Sequence, residues 1–257
     1  MPAVSESSIL ATGADGIGVL TLNRPAARNA LTPEMMQRLA REAERLAAEC
    51  RVLLLAGAGK VFCAGFDLRS CAEDEGAMEG MLRGLAQATR ALRRAPVPVV
   101  AAAQGAAVAG GCALLGGCDF VVTDRRAKLG YPALRIGISP AVTAALFRTN
   151  VGDARARERQ LDTRTIDGAE ARRIGLACEC CAERAEVLPS ARRLAAELAA
   201  KPATALRETK AWINELDGST RDDLIEGGLR ASLKLARDGE LRQRLERAWG
   251  NQAGRRS

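Results

Sequence analysis

This 257-residue chain contains no histidine. That absence removes the Ser-His-Asp and Cys-His nucleophile systems and the commonest nitrogen ligand for metals. Any general acid or base must be Asp, Glu, Cys, Tyr, Lys or water. Aromatic residues make up only 3%, with a single tyrosine, Tyr131. The core is therefore expected to be mostly Ala, Leu and Val. No apolar run approaches the ~20 residues that a membrane helix needs. Met1 to Ala14 lacks the basic-then-apolar pattern of an export signal. A cytoplasmic location is the expectation.

Eight cysteines are present: Cys50, Cys63, Cys71, Cys112, Cys118, Cys178, Cys180 and Cys181. Most sit inside apolar patterns and read as reduced thiols filling small core spaces. Cys178-Glu179-Cys180-Cys181 suggests a metal site, but no second cluster has matching spacing, and no metal is expected. Apolar residues at 47% and charged residues at 27% make an ordinary globular profile. The net charge of +7 is concentrated at the C-terminal end, where 230–257 holds eight basic residues against three acids. A solvated helix face with a basic tail explains this. So does attraction of a polyanion, either nucleic acid or a phosphate-rich cofactor. No aromatic residues interleave the bases for stacking, which argues against nucleic acid.

The pattern along the chain is strand, loop, helix, repeated. Ile17-Gly18-Val19-Leu20-Thr21-Leu22 alternates like a strand and stops at Asn23-Arg24-Pro25. Thr32-Pro33-Glu34 opens a helix, with Thr at the cap and Pro in the first turn. Met35, Leu39 and Leu46 recur at helical spacing to about Glu49. Residues 51–56 (RVLLLA) form a continuous apolar strand, as a parallel sheet covered on both faces requires. A helix is expected over 75–94, then strands over Val99 to Ala103 and Asp119 to Thr123. This order argues for an α/β core with right-handed crossovers. Beyond Ala141 nearly everything reads as helix.

Two loops stand out: 60–68, Lys-Val-Phe-Cys-Ala-Gly-Phe-Asp-Leu, and 104–113, Gln-Gly-Ala-Ala-Val-Ala-Gly-Gly-Cys-Ala. Each follows an apolar strand and carries small residues where the backbone must come close to something. Two such loops can aim two backbone N–H groups at one point, which is how an oxyanion hole is built. The bland alternative is that their glycines only make tight turns.

These residues resemble the crotonase, or enoyl-CoA hydratase/isomerase, superfamily. Seven landmarks in order carry the resemblance over roughly 16–188. They are Leu22-Asn23-Arg24-Pro25 with Arg28-Asn29-Ala30-Leu31, Phe62 to Leu68, Gly105 with Ala109-Gly110-Gly111-Cys112, Cys118-Asp119, Ile136-Gly137-Ile138-Ser139-Pro140, Ile166-Asp167 with Ala169-Glu170-Ala171, and Gly175-Leu176. Any one is weak, and together they are specific. The resemblance implies a crotonase-like spiral of ββα units over 1–188 and a helical C-terminal trimerisation region over 189–257. It implies an acyl-CoA ligand, no cofactor beyond the coenzyme A of the substrate, and a homotrimer or hexamer. By position, the oxyanion-hole donors are the N–H groups of Phe66 and Gly110. The expected substrate-binding positions are Arg28, Ala30, Ala64, Gly65, Asp67, Gly111, Tyr131, Ala113 and Ala133. Arg24 and Arg69 are further basic groups nearby, with Arg24 equally suited to bracing a loop. Asp67 and Asp119 match acids that cap or brace loops in the family.

The resemblance also implies two glutamates in a hydratase, and here Ala113 and Ala133 occupy those positions. A methyl group moves no proton, and general acid–base help is typically worth about 10²- to 10⁴-fold per group. No Asp or Glu occurs between Asp124 and Asp153, which argues against related isomerases and dehalogenases. The remaining polar candidates are Tyr131, Ser139, Thr143, Cys112, Asp74, Glu75 and Glu79. Tyr131 reads more readily as a packing aromatic than as a proton donor. The expectation is an acyl-CoA-binding member with weak or altered hydratase activity. Alternatives are a divergent lyase or isomerase, a thioester hydrolase, a non-catalytic acyl-CoA binder and, further off, an RNA-binding relative.

Overall fold

The computed structural model describes residues 7–69 and 76–236. Cys71, Asp74, Glu75, Leu241, Trp249 and the basic tail lie outside the described residues. The frame is a six-stranded sheet in the order β1-β2-β3-β4-β6-β8. Its strands are β1 (Ile9–Ala14), β2 (Ile17–Leu22), β3 (Val52–Gly57), β4 (Val99–Ala103), β6 (Phe120–Asp124) and β8 (Glu179–Cys181). β1 and β2 pair antiparallel, and every other neighbour is parallel.

β3 shows why this sheet needs continuous apolar runs. Leu53 and Leu55 join Met35, Leu39 and Leu46 of α1 (Pro33–Glu49) and Met81, Leu85 and Leu92 of α2 (Ala77–Arg94). Val52, Leu54 and Ala56 face the other way, onto Val187, Ala191, Ala195 and Leu198 of α7 (Val187–Ala199). Side chains alternate faces along a strand, so a strand covered twice must be apolar throughout. Each leucine fully buried this way stabilises by about 1.5–3 kcal/mol. The expected boundary after residue 188 falls inside α7, a helix that covers one face of the sheet.

α1 starts as its sequence requires: Thr32 caps it, the side chain accepting the Met35 N–H at 3.2 Å. A second layer comes from short extended pieces. β5 (Ala106–Val108) pairs parallel with β7 (Lys128–Gly130). Cys63 bridges Ala107 and Leu31 bridges Phe66, both parallel. A turn of the spiral is thus one sheet strand, one short extended piece and one helix, as in β4, β5 and α3 (Gly110–Leu115). β1, β5, β7 and β8 were not expected. The last three have three residues each, too short for a periodic signal. Glu179–Cys181 of the Cys178–Cys181 run form the edge strand β8. Among the described residues no group of three or more Cys, Asp or Glu is placed to hold a metal.

Helices α4 (Ala144–Val151), α5 (Asp153–Leu161), α6 (Gly168–Arg173), α8 (Ala203–Leu216) and α9 (Asp222–Ala236) complete the described chain. Asp119 is structural: its carboxylate accepts the Val99 N–H and the Lys210 ammonium of α8, each at 2.7 Å. α9 braces the 140–143 turn, where the Ser232 hydroxyl accepts the Val142 N–H at 3.0 Å. No helix among the described residues is long and apolar enough to cross a membrane.

Candidate functional site

The first loop is anchored by Asn29. Arg28 and Asn29 both take left-handed backbone angles, with φ of 54° and 55°, a region that Asn tolerates better than most residues. The fully buried Asn29 amide donates to the carbonyls of Ala58, Val61 and Phe62 at 2.9–3.0 Å, and its oxygen accepts the Arg24 N–H at 2.9 Å. This knot fixes residues 24–31 against residues 58–66. Leu31 then donates its N–H to Gly65 and accepts from the Asp67 N–H, both at 2.8 Å. In such a bridge the N–H of the residue between them faces away from Leu31. That residue is Phe66, and its N–H has no partner among the described residues.

The second loop is tied to the first. Cys63 donates to Ala106 and accepts from the Val108 N–H, both at 3.0 Å. Ala109 donates to the Gly130 carbonyl at 2.8 Å and takes φ 50°. This conformation costs a residue with a Cβ about 1–3 kcal/mol. It turns the chain so that Gly110 opens α3. A first-turn N–H has no intrahelical acceptor, and that of Gly110 has no other partner among the described residues. The loops pack shoulder to shoulder there. A Cβ added at Gly65, whose φ is 97°, would lie 3.0 Å from the Val108 carbonyl oxygen and 3.6 Å from the Gly110 nitrogen.

Both loops border a cavity of about 310 Å³. Ala64, Phe66 and Gly110 line it from the loops, Leu82 and Leu85 from α2, and Ala113 from α3. Tyr131, Ala133, Arg135, Ser139, Val142 and Thr143 are among the residues that close it from the 131–143 segment. No Asp or Glu lines it among the described residues. Six of the expected site residues therefore meet in one place: Phe66, Gly110, Ala64, Tyr131, Ala113 and Ala133.

The other five lie outside the cavity wall. Gly111 serves an internal contact: a Cβ there would sit 2.5 Å from the Cys63 carbonyl oxygen. Its missing side chain lets α3 abut the first loop, which differs from the expectation of an opening for the ligand. Gly65 has the same kind of role toward the second loop. Asp67 is paired with Arg24 at 2.8 Å and with Arg69 at 3.5 Å. Burial disfavours its charged form, but the Arg24 hydrogen bond and both guanidinium charges outweigh that and hold its carboxyl below its usual range. Arg24 also donates to the Ala30 carbonyl, so it braces the loop. Arg28 is exposed, with no carboxylate partner among the described residues, and its carbonyl accepts the Ala64 N–H at 3.0 Å.

Among the polar candidates, Cys112 is buried, and burial pushes its thiol up to about 12. Cys63 is pushed up to about 12 for the same reason. Neither supplies a thiolate near neutral pH, so neither is a nucleophile. Glu79 pairs with Arg83 on the α2 surface at 2.7 Å. Ser139 accepts the Ala141 N–H at 3.2 Å, holding the turn that follows it. Sequence reasoning did not single out Asn29 as the anchor, or Leu82 and Leu85 as cavity wall. Helical spacing marks the buried face of α2 without saying which buried positions face a cavity.

A family model described as enoyl-CoA hydratase/isomerase matches residues 12–230. The chain belongs to the enoyl-CoA hydratase/isomerase family. It is 34% identical over 234 residues to a Thermus thermophilus protein described as "Putative enoyl-CoA hydratase", covering 88% of this chain and 92% of that one. The crystal structure of an enoyl-CoA hydratase/isomerase from Xanthobacter autotrophicus Py2 superposes with a TM-score of 0.80 at 27% identity, covering 89% and 87%. Another, from Pseudoalteromonas atlantica T6c, reaches a TM-score of 0.84 over 95% and 98% of the chains at 24% identity, a likeness of fold. The spiral, with its helical C-terminal region, is the crotonase fold.

Proposed function

We propose that the protein binds an acyl-CoA thioester in this cavity and polarises its carbonyl with the N–H groups of Phe66 and Gly110. The observation that carries the proposal is that two unpartnered N–H groups, on loops in mutual contact, border one largely apolar cavity. Fixed donors in such a place stabilise an enolate oxygen without reorganising, and losing one donor typically costs about 10²–10³ in kcat. Arg28, exposed on the adjoining turn, supplies charge to the CoA phosphates.

Hydration of a simple enoyl-CoA is weak in this reading, because Ala113 and Ala133 occupy the cavity wall and no carboxylate joins them. The same absence favours a second reading, a non-catalytic acyl-CoA binder. Calorimetric titration with a short acyl-CoA, a long acyl-CoA and free CoA tests the shared part. Micromolar binding that requires the acyl thioester is expected, and no binding to any of the three overturns both readings. Exchange of the acyl α-proton into deuterated solvent then separates them: an enzyme exchanges it, and a binder does not.

The exposed apolar residues Trp212, Ile213 and Leu216 on α8 (59%, 50% and 68% exposed) support assembly into a homotrimer or hexamer. Light scattering on the full chain is expected to give three or six protomers, and a monomer at micromolar concentration would count against assembly.

A further inference from the structure

A second cavity, of about 430 Å³, is larger than the one the oxyanion loops border, and the two share no lining residue. It lies at the other end of the sheet. Pro98 and Asp119, which lead into β4 and β6, line it. The oxyanion loops instead leave the C-terminal ends of β3 and β4. The acyl-thioester reading makes no use of this second space.

Its charged groups do not balance. Arg93, Lys201 and Lys210 line it as cations, and Asp119 and Asp217 as carboxylates. Asp119 serves both buried cations, Lys210 at 2.7 Å and Arg93 at 3.9 Å. Asp217 is engaged by the Ser219 N–H at 2.8 Å. Lys201 is exposed and pairs with no carboxylate among the described residues. The Arg51 guanidinium donates to the Lys201 carbonyl at 2.7 Å and adds a further positive charge beside it. Burial holds the Lys210 ammonium below its ordinary value, and Asp119 opposes only part of that. Cations drawn partly out of water are costly, and an anion beside them offsets the cost.

The rest of the wall includes Leu176 and Leu198, both buried, and the half-buried Leu206 of α8. A few polar groups set in an apolar wall are the usual make-up of a small-molecule site. The wall is also firm. Arg93 donates to the Gly116 carbonyl at 2.9 Å and to the Thr149 hydroxyl at 2.8 Å. The Asn150 amide donates to the carbonyls of Leu115 and Cys118 at 3.1 and 3.3 Å. A site fixed before its ligand arrives loses little on ordering.

A bare inorganic anion would leave the leucines uncovered, and a plain hydrocarbon would leave the cations unanswered. We propose that this cavity binds a small organic monoanion, a carboxylate with a short hydrocarbon body. Its charged end lies at Lys201 and its body against Leu198 and Leu206. The inference does not depend on the acyl-thioester reading of the other cavity.

Calorimetry on the full chain with hexanoate, 1-hexanol and hexylammonium tests it. Hexanoate is expected to bind one site per chain, about tenfold or more tighter than the other two, since a hydrogen bond to a charged group is worth about 1.5–3 kcal/mol. Lys201→Gln removes only an exposed charge, so the fold is kept, and it should weaken hexanoate binding about tenfold. Leu206→Glu sets a carboxylate in the wall and should weaken it at least as much. Equal affinity for the three ligands overturns the anion site. So does the lack of saturable hexanoate binding below about 10 mM, a free energy of less than about 3 kcal/mol. A hexanoate affinity unchanged in either Lys201→Gln or Leu206→Glu also overturns it, because the ligand then sits elsewhere, the acyl cavity included.

Discussion

Replacing Ala113 and Ala133 together by glutamate is expected to raise hydration of 2-butenoyl-CoA by about 10⁴-fold or more over the unaltered protein. The magnitude follows from two proton-transfer groups at about 10²- to 10⁴-fold each. Geometry supports the direction. Both alanines line the cavity that Phe66 and Gly110 border, and Ala113 lies one helical turn beyond Gly110. With about 310 Å³ of space, the added carboxyls fit without displacing the wall. Desolvation there raises a carboxyl's pKa, so one member of the pair can hold a proton near neutral pH while the other accepts one. Single substitutions should give far smaller gains, because hydration needs both a base for water and an acid for carbon. Initial rates check the expectation, alongside butyryl-CoA affinity as evidence of an intact site. A folded, ligand-binding double variant with no added hydration would show that missing carboxylates are not what limits this cavity.

Gly111→Ala is expected to weaken acyl-CoA binding by about tenfold to a hundredfold, although Gly111 does not line the cavity. The new methyl would lie 2.5 Å from the Cys63 carbonyl oxygen and 2.8 Å from the Cys63 Cβ. Cys63 cannot yield easily, being held by Ala106 and Val108 on one side and by Asn29, which accepts its thiol hydrogen bond at 3.1 Å, on the other. The strain is therefore relieved by parting α3 from the first loop, which separates the N–H groups of Phe66 and Gly110. Overpacking of this kind typically costs about 1–3 kcal/mol of stability, so the variant should still fold. Gly80→Ala on α2 is the control. Its methyl would meet Pro33 at an ordinary 3.4 Å, and alanine favours a helix interior by up to about 1 kcal/mol. It should leave affinity unchanged and raise thermal stability slightly. Equal affinity in Gly111→Ala and the unaltered chain would show that contact between the loops does not set the donor geometry.

Much of the architecture was legible along the chain. Thr32-Pro33 marks the start of α1, and the apolar run after Arg51 marks a strand covered on both faces. Six of the expected site residues meet at the cavity. The elements missed were β1, which pairs with its neighbour β2, and the three-residue strands β5, β7 and β8, which are too short for a periodic signal. Two expected substrate-binding positions make internal contacts outside the cavity wall, Asp67 in the loop-bracing role that the sequence also suggested. Asp67 belongs to Arg24, and the gap at Gly111 belongs to Cys63.

The sequence by itself excluded histidine chemistry. Without histidine, and with alanine at 113 and 133, no side chain proposed there can carry a proton as a carboxylate would. It marked the limits of α1 and the buried strands β2, β3, β4 and β6 as well, because caps and periodicity are properties of neighbouring residues. Only the tertiary structure decided that Phe66 and Gly110 line one cavity and that, among the described residues, neither N–H has a partner. Those facts depend on contacts between residues 31 and 66, 63 and 107, and 109 and 130. No local pattern spans such separations, and whether a polar atom is left without a partner is settled only once every neighbour is in place.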